Sequence, residues 1–267
     1  MLDVLERCRT DRDCEACELL PECAGRAKRD DGGHVAIDDA IAMKKRSDEE
    51  GWRSEMLCER PARRGAVYPE FNREIHVVAC PMPDGKSDAR IICGMDFGFR
   101  SPMVLLVASV DEGGVIRIHE EHVARETTLN VFVDKLRGFP RRVSWVGVDP
   151  AGHQRSEQTG YSNITFLRQS GFVVQSRRAE LEFGLRAVRR RLYSATKEVM
   201  LFVDPSCSEL IRSLEGYAYA EGDARSVQPV KDGHDHAADA LRYLVLNLDH
   251  PYREQTKLYW NGYGGAR

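Results

Sequence analysis

The sequence predicts an α/β fold: a mixed sheet flanked by helices, with a small Cys-rich helical module ahead of it. Three observations predict it. Ile91–Phe99, Pro102–Val110 and Val115–Val123 are apolar runs joined by short turns, the pattern of an antiparallel meander. From Thr127 onward helical and strand patterns alternate, which calls for parallel strands with crossover helices. Four of the eight cysteines fall between Cys8 and Cys23, a clustering that suits a metal site better than scattered thiols.

Residues 1–30 hold those cysteines between charged, helix-compatible flanks. Ile37–Arg46 predicts a short helix, because Asp38 and Asp39 at its start and Lys44, Lys45 and Arg46 at its end suit the helix dipole. Ser47, with Glu50 three residues on, makes a capping box for a second helix over Asp48–Glu59, which Pro61 stops. Pro61–Arg90 is rich in proline and glycine, with one extended run at Ile75–Val78. Pro81–Ser87 (PMPDGKS) is a turn-rich boundary. The expected organisation is a Cys-rich metal-binding linker module over 1–88, a main domain over 89–250, and a loose Gly- and Tyr-rich tail over 251–267.

Within the main domain, Asp111–Gly114 (DEGG) is a hairpin turn. Thr127–Arg137 places Leu129, Phe132, Val133 and Leu136 on one helical face. Val143–Val148 and Phe172–Gln175 read as strands, as does Val199–Val203. Ser162–Ser170, Ala179–Ser194, Ser206–Tyr217 and Gly233–Leu248 read as helices. A meander followed by this alternation resembles the order of a ribonuclease-H-like domain.

Apolar residues make up 42% of the chain, enough for a real core. The longest apolar runs, such as Pro102–Val110, fall short of the roughly 20 residues that span a membrane. No basic-then-apolar leader opens the sequence, so the expected place of work is a cytoplasm. The net charge of -3 does not advertise nucleic-acid binding, but distribution matters more than the sum. Arg177, Arg178, Arg186, Arg189, Arg190 and Arg191 crowd one segment, whose helix has Leu181, Leu185, Val188 and Leu192 as its apolar side. These arginines are expected to hold DNA phosphates without sequence preference. The alternative is an ordinary solvated helix face.

Three acids stand out by position. Asp96 interrupts an apolar strand between glycines that let another group approach the backbone. Asp149 ends the strand Val143–Val148, where ligands of open α/β sheets collect. Asp239 lies in the last helix on the side away from Ala237, Leu241, Leu244 and Leu248, with Asp235 and His236 one turn earlier. Each alone reads more readily as a turn former or cap. Asp204 repeats the strand-Asp-Pro form of Asp149 and is read as a cap for the helix near Ser206. The reason to group the three is chemical. Two divalent ions about 3.5–4 Å apart clamp the attacking and leaving oxygens of a phosphodiester, and magnesium or manganese prefers hard carboxylate oxygens. Asp96 is the natural bridge, with Asp149 and Asp239 holding one ion each. His236 is a proton shuttle or simply a helix-face histidine. Lys231 contacts the scissile phosphate or is solvated.

Cys8-x5-Cys14-x2-Cys17-x5-Cys23 supplies four thiolates. They suit a structural zinc ion, with an iron–sulfur cluster as alternative and reduced thiols as the plainest reading. Cys58, Cys80, Cys93 and Cys207 lie in apolar or helical surroundings and are expected to be reduced core thiols.

The segments Ile91–Gly98 (IICGMDFG), Val146–Gly152 (VGVDPAG) and Asp232–Tyr243 (DGHDHAADALRY) resemble the nuclease motifs of phage terminase large subunits. Cys14–Gly25, Gly33–Ala40 (GHVAIDDA) and Trp52–Phe71 are similar to the linker that precedes that nuclease. The resemblance implies a metal-binding triad of Asp96, Asp149 and Asp239, with Asp235 and His236 beside it. It also implies cutting of concatemeric double-stranded viral DNA around capsid filling, in the host cytoplasm at the procapsid portal. The implied partners are a packaging ATPase domain or subunit, the portal and the small terminase; no membrane is involved. One departure matters: no GxxxxGK[ST] phosphate loop occurs. The chain is therefore expected not to power translocation alone, and to be a fragment or a split subunit. Two rival readings remain. One is a Holliday-junction resolvase or transposase-like strand cutter; the other is a non-catalytic DNA-binding or assembly module.

Overall fold

β1 (Arg90–Asp96) is buried at every residue but its first, because its two faces feed two separate apolar layers: Ile91, Cys93 and Met95 one, Ile92 the other. In this computed structural model, which describes residues 5–29, 33–58, 65–85, 87–153, 162–220 and 228–249, β1 lies inside a six-stranded sheet of order β5-β4-β1-β2-β3-β6. β2 (Met103–Val110) and β3 (Ile116–Ala124) complete an antiparallel meander with β1. β4 (Val143–Val148) runs parallel to β1 on its other side, and β5 (Val174–Gln175) parallel to β4. β6 (Leu201–Val203) adds parallel to β3. A three-stranded meander with a parallel strand on the far side of β1 is the ribonuclease-H-like arrangement, and the mixed α/β sheet expected from sequence is present.

Among the helices, α1 (Ile37–Arg46) precedes the sheet. α2 (Leu129–Gly138) and α3 (Asn163–Gln169) cover the face carrying Ile91, Cys93 and Met95. α4 (Leu181–Leu192), α5 (Ser208–Gly216) and α6 (Asp235–Asp249) cover the face carrying Ile92. α6 lies directly on the sheet because Gly94 and Gly147 have no side chains to hold it off. A Cβ on Gly94 would stand 2.3 Å from the Ala240 carbonyl oxygen, and one on Gly147 would stand 2.9 Å from that of Tyr243. The close approach that glycines beside Asp96 permit is thus made by the last helix itself. No helix among the described residues is long and apolar enough to cross a membrane.

A third cluster gathers Leu5, Cys8, Leu19, Cys23, Ile37, Ala40 and Trp52 around Ala195, from the turn after α4. The chain then enters the main core: Val67 and Tyr68 are fully buried in the layer under α6, and the Val67 N–H donates to the Tyr217 carbonyl at 2.8 Å.

Strand ends differ by two or three residues, β1 stopping at Asp96, β5 starting at Val174 and β6 at Leu201, and the upstream segment differs further. The cap of the helical turn after α1 is Asp48, whose Oδ1 accepts from the Gly51 N–H at 2.8 Å, whereas the Ser47 hydroxyl turns back to the Met43 carbonyl at 2.9 Å. The helix is short, Glu49–Gly51, and widens into a π turn over Trp52–Met56; Glu59 and Pro61 lie outside the described residues. The extended run expected at Ile75–Val78 begins instead in a helical turn, Arg73–His76, because Asn72 caps it by accepting from the Glu74 N–H at 2.9 Å. Val77 bridges Val203, whose carbonyl accepts from the Val78 N–H at 3.1 Å. The expected tail, 251–267, is outside the described residues.

Candidate active site

The register of the sheet decides where the acids fall. Met95 on β1 pairs with Val148 on the parallel strand β4, so Asp96 and Asp149, one residue further on each, leave the sheet side by side. Neighbouring strands stand about 4.8 Å apart. Asp96 shares the strand face of Gly94, against which α6 packs, and this brings the first turns of α6 over the same rim. His236 Nδ1 donates to Asp96 Oδ2 at 3.0 Å, and its Nε2 lies 4.0 Å from Asp235 Oδ1. Asp239 follows one turn later. Strand ends and one helix start thus bring together Asp96, Asp149, Asp235, His236 and Asp239 from three separate stretches of sequence.

The electrostatics match that crowding. Burial pushes the Asp96 carboxyl up to about 6; the His236 bond opposes the shift, and the charges of Asp239 and Asp149 add to it. Burial also raises Asp239, against the pull of Arg242. The bond to Asp96 raises His236. Such a concentration of partly desolvated carboxylates is what a divalent cation relieves, and the oxygen donor set suits magnesium or manganese. Among the described residues, however, no three His, Cys, Asp or Glu side chains stand close enough to hold a metal ion. Each carboxylate is turned to a protein donor: Asp96 to His236, Asp239 Oδ1 to Arg242 at 2.9–3.0 Å, and Asp149 Oδ1 to the Ala151 N–H at 2.9 Å. Arg242 was not singled out by sequence. Its signal was a lone cation in the apolar run of α6.

Asp204 does carry structural bonds, taking the Ser206 N–H at 3.0 Å on Oδ1 and the Cys80 N–H at 2.8 Å on Oδ2. Sequence form could not separate it from Asp149; the neighbours do.

The basic residues divide into two sets. β5 is parallel to β4, with Gln175 opposite Gly147. Arg177 and Arg178 therefore emerge at the rim that carries Asp149. Lys231 is exposed and acts on the charge of Asp239. The four arginines of α4 are paired internally. Arg186 joins Asp48 and Glu55, and Arg189 grips both Glu70 oxygens at 2.6–2.9 Å. Arg190 and Arg191 both pair with Asp249 at the end of α6. These guanidiniums tie α4 to the upstream segment and to α6.

Cys8, Cys14, Cys17 and Cys23 all line one cavity of about 20 Å³. The Ala27 N–H donates to Cys23 Sγ at 3.4 Å. The thiols face a common space but do not stand at ligand spacing. Of the scattered cysteines, Cys80, Cys93 and Cys207 are buried; Cys58 is exposed, contrary to expectation.

No protein-family model and no curated protein matches the chain in sequence. Solved structures do match in fold. The large terminase of the thermophilic bacteriophage D6E superposes with a TM-score of 0.61 at 20% identity, covering 86% of this chain and 59% of that one. The P22 large terminase nuclease domain gives 0.53 at 17%, covering 70% and 98%. The magnesium-bound large terminase nuclease of thermophilic phage G20c gives 0.50 at 15%, covering 69% and 98%. The chain spans less than two thirds of the D6E protein. At these identities the likeness is one of fold: the chain is built like the phage large terminases on which it superposes.

Proposed function

We propose that the chain is a metal-dependent endonuclease that cuts double-stranded DNA, as the nuclease portion of a viral DNA-packaging terminase. The observation that carries this reading is the meeting of Asp96, Asp149, Asp239 and His236 at one rim of a ribonuclease-H-like sheet. When bound, two magnesium or manganese ions supply positive charge to the attacking and leaving oxygens of a phosphodiester. Asp96, Asp149 and Asp239 would hold them, with Asp235 beside. His236 keeps a proton on Nδ1 against Asp96, which leaves Nε2 to exchange one with a reacting oxygen. Arg177, Arg178 and Lys231 flank the acids and hold backbone phosphates without reading sequence. Arg186, Arg189, Arg190 and Arg191 are left out of the DNA surface, because carboxylates of the chain already engage them. The magnesium-bound G20c nuclease supports the choice of ion. A packaging ATPase domain or subunit, the portal and the small terminase are the proposed partners, at the procapsid in the host cytoplasm.

The four clustered cysteines are proposed to take a structural zinc ion that stiffens the segment ahead of the sheet. Metal analysis of the purified chain should find about one zinc per chain, lost in Cys17→Ser. Iron with acid-labile sulfide would mean a cluster instead, and neither metal would mean plain thiols.

The nuclease reading is tested on supercoiled plasmid. With magnesium or manganese the chain should produce nicked and linear forms, and EDTA should stop it. Strong preference for a four-way junction over duplex would point to a resolvase. DNA retention without any cutting would leave a binding module and end the enzymatic reading.

A further inference from the structure

Arg242 stands one helical turn after Asp239 on α6, and both of its contacts, from Nε at 3.0 Å and Nη2 at 2.9 Å, land on Asp239 Oδ1. Neither occupies Oδ2. An exposed pair at this spacing on a helix holds nothing firmly, since both side chains keep their rotamer freedom. This pair is different, because Arg242 is 8% exposed. Its stem crosses α4 at Gly184, where a Cβ would stand 2.8 Å from Arg242 Cδ and 2.9 Å from Cγ. Glycine at the fourth position of a 12-residue helix is a poor choice on propensity alone. The notch it leaves is filled by the arginine stem. The Gly184 seat fixes the stem, the stem fixes the guanidinium, and the guanidinium fixes one oxygen of Asp239.

We propose that Arg242, seated in the Gly184 notch, is a positioning residue that holds the Asp239 carboxylate with Oδ2 free at the acidic rim. This rests on the nuclease reading above. It names a residue pair outside the acids themselves, one of them on a different helix. Outer partners of metal-binding carboxylates typically matter ten- to hundredfold in metal affinity or activity.

The test compares wild type with Arg242→Met, Arg242→Lys and Gly184→Ala in the full chain. Manganese binding is read by electron paramagnetic resonance, plasmid cutting as kcat and as the manganese concentration for half-maximal rate, and folding by thermal melting. Methionine keeps the stem but removes both donors, while lysine restores one. Gly184→Ala leaves α6 untouched and displaces the stem. Arg242→Met and Gly184→Ala should weaken manganese binding or cutting about ten- to hundredfold when compared at temperatures where each variant is folded, with Arg242→Lys in between; melting should fall most in Arg242→Met, which leaves the buried Asp239 carboxylate without its partner. If wild type cuts and all three variants bind manganese and cut as it does, the positioning role is wrong. Losses that simply follow loss of folded protein, with no recovery in the lysine variant, also overturn it. A wild type that neither binds manganese nor cuts ends the nuclease reading and the positioning role together.

Discussion

Asp96→Asn should lose divalent-ion-dependent cutting to background and, free of ions, be more stable than wild type at neutral pH. Asn keeps the shape and still accepts from His236, but brings no charge to the rim. The stability effect has a definite sign. Burial holds the Asp96 carboxyl at about 6 against an ordinary 3.8. Across that window the folded chain keeps a proton that the unfolded chain has released, so stability falls as pH rises. His236, raised by its bond to Asp96, acts in the same direction: its contribution is full below its ordinary range and is lost as pH rises through the raised value. At about 1.4 kcal/mol per pH unit, the ionised Asp96 costs on the order of 3 kcal/mol at neutral pH. Denaturant unfolding in EDTA should therefore show the variant ahead at pH 7.5, its lead down to about a third at pH 4.5 and gone only below the ordinary 3.8. Manganese should stabilise wild type and not the variant. Equal stability at pH 7.5, or equal gain from manganese, would remove the electrostatic basis of the site.

Arg189→Met should be the most damaging change on α4, at roughly 3–5 kcal/mol, because it strands a buried carboxylate. Arg189 and Glu70 have side chains only 8% and 7% exposed, and three short contacts join them. Arg178→Met, at an exposed position, should change stability by less than about 0.5 kcal/mol but weaken DNA binding at low salt. A second change, Glu70→Leu on Arg189→Met, should recover much of the loss, since an apolar pair of similar volume often replaces a buried ion pair at little cost. Chemical denaturation of the two single variants and the double variant measures this. If Arg189→Met melts like wild type and loses only DNA affinity, α4 belongs to the DNA surface after all.

What sequence could show follows from where the determining contacts lie. β4 and α1 have the bounds that periodicity and end charges indicate, because their signals are local. The cap at Asp48 lay one residue from the expected Ser47; both residues are capping types, and Arg186 on a distant helix favours Asp48 by pairing with it. Ile75–Val78 has the β-branched composition of a strand, yet Asn72 offers its backbone a helical turn. The basic run of α4 reads as a surface because its acidic partners, Asp48, Glu55, Glu70 and Asp249, lie far off in sequence. Grouping Asp96, Asp149 and Asp239 needed chemistry as well as pattern, for Asp204 has the same local form as Asp149. The match of Arg242 to Gly184 is not legible in sequence, because it exists only once α4 and α6 are packed.

The most direct measurement is an anomalous difference map from crystals of the wild-type chain soaked in manganese. Bound manganese should appear between Asp96, Asp149 and Asp239. Manganese bound only elsewhere, or none at saturating concentration, would contradict the assignment of these carboxylates as ion ligands.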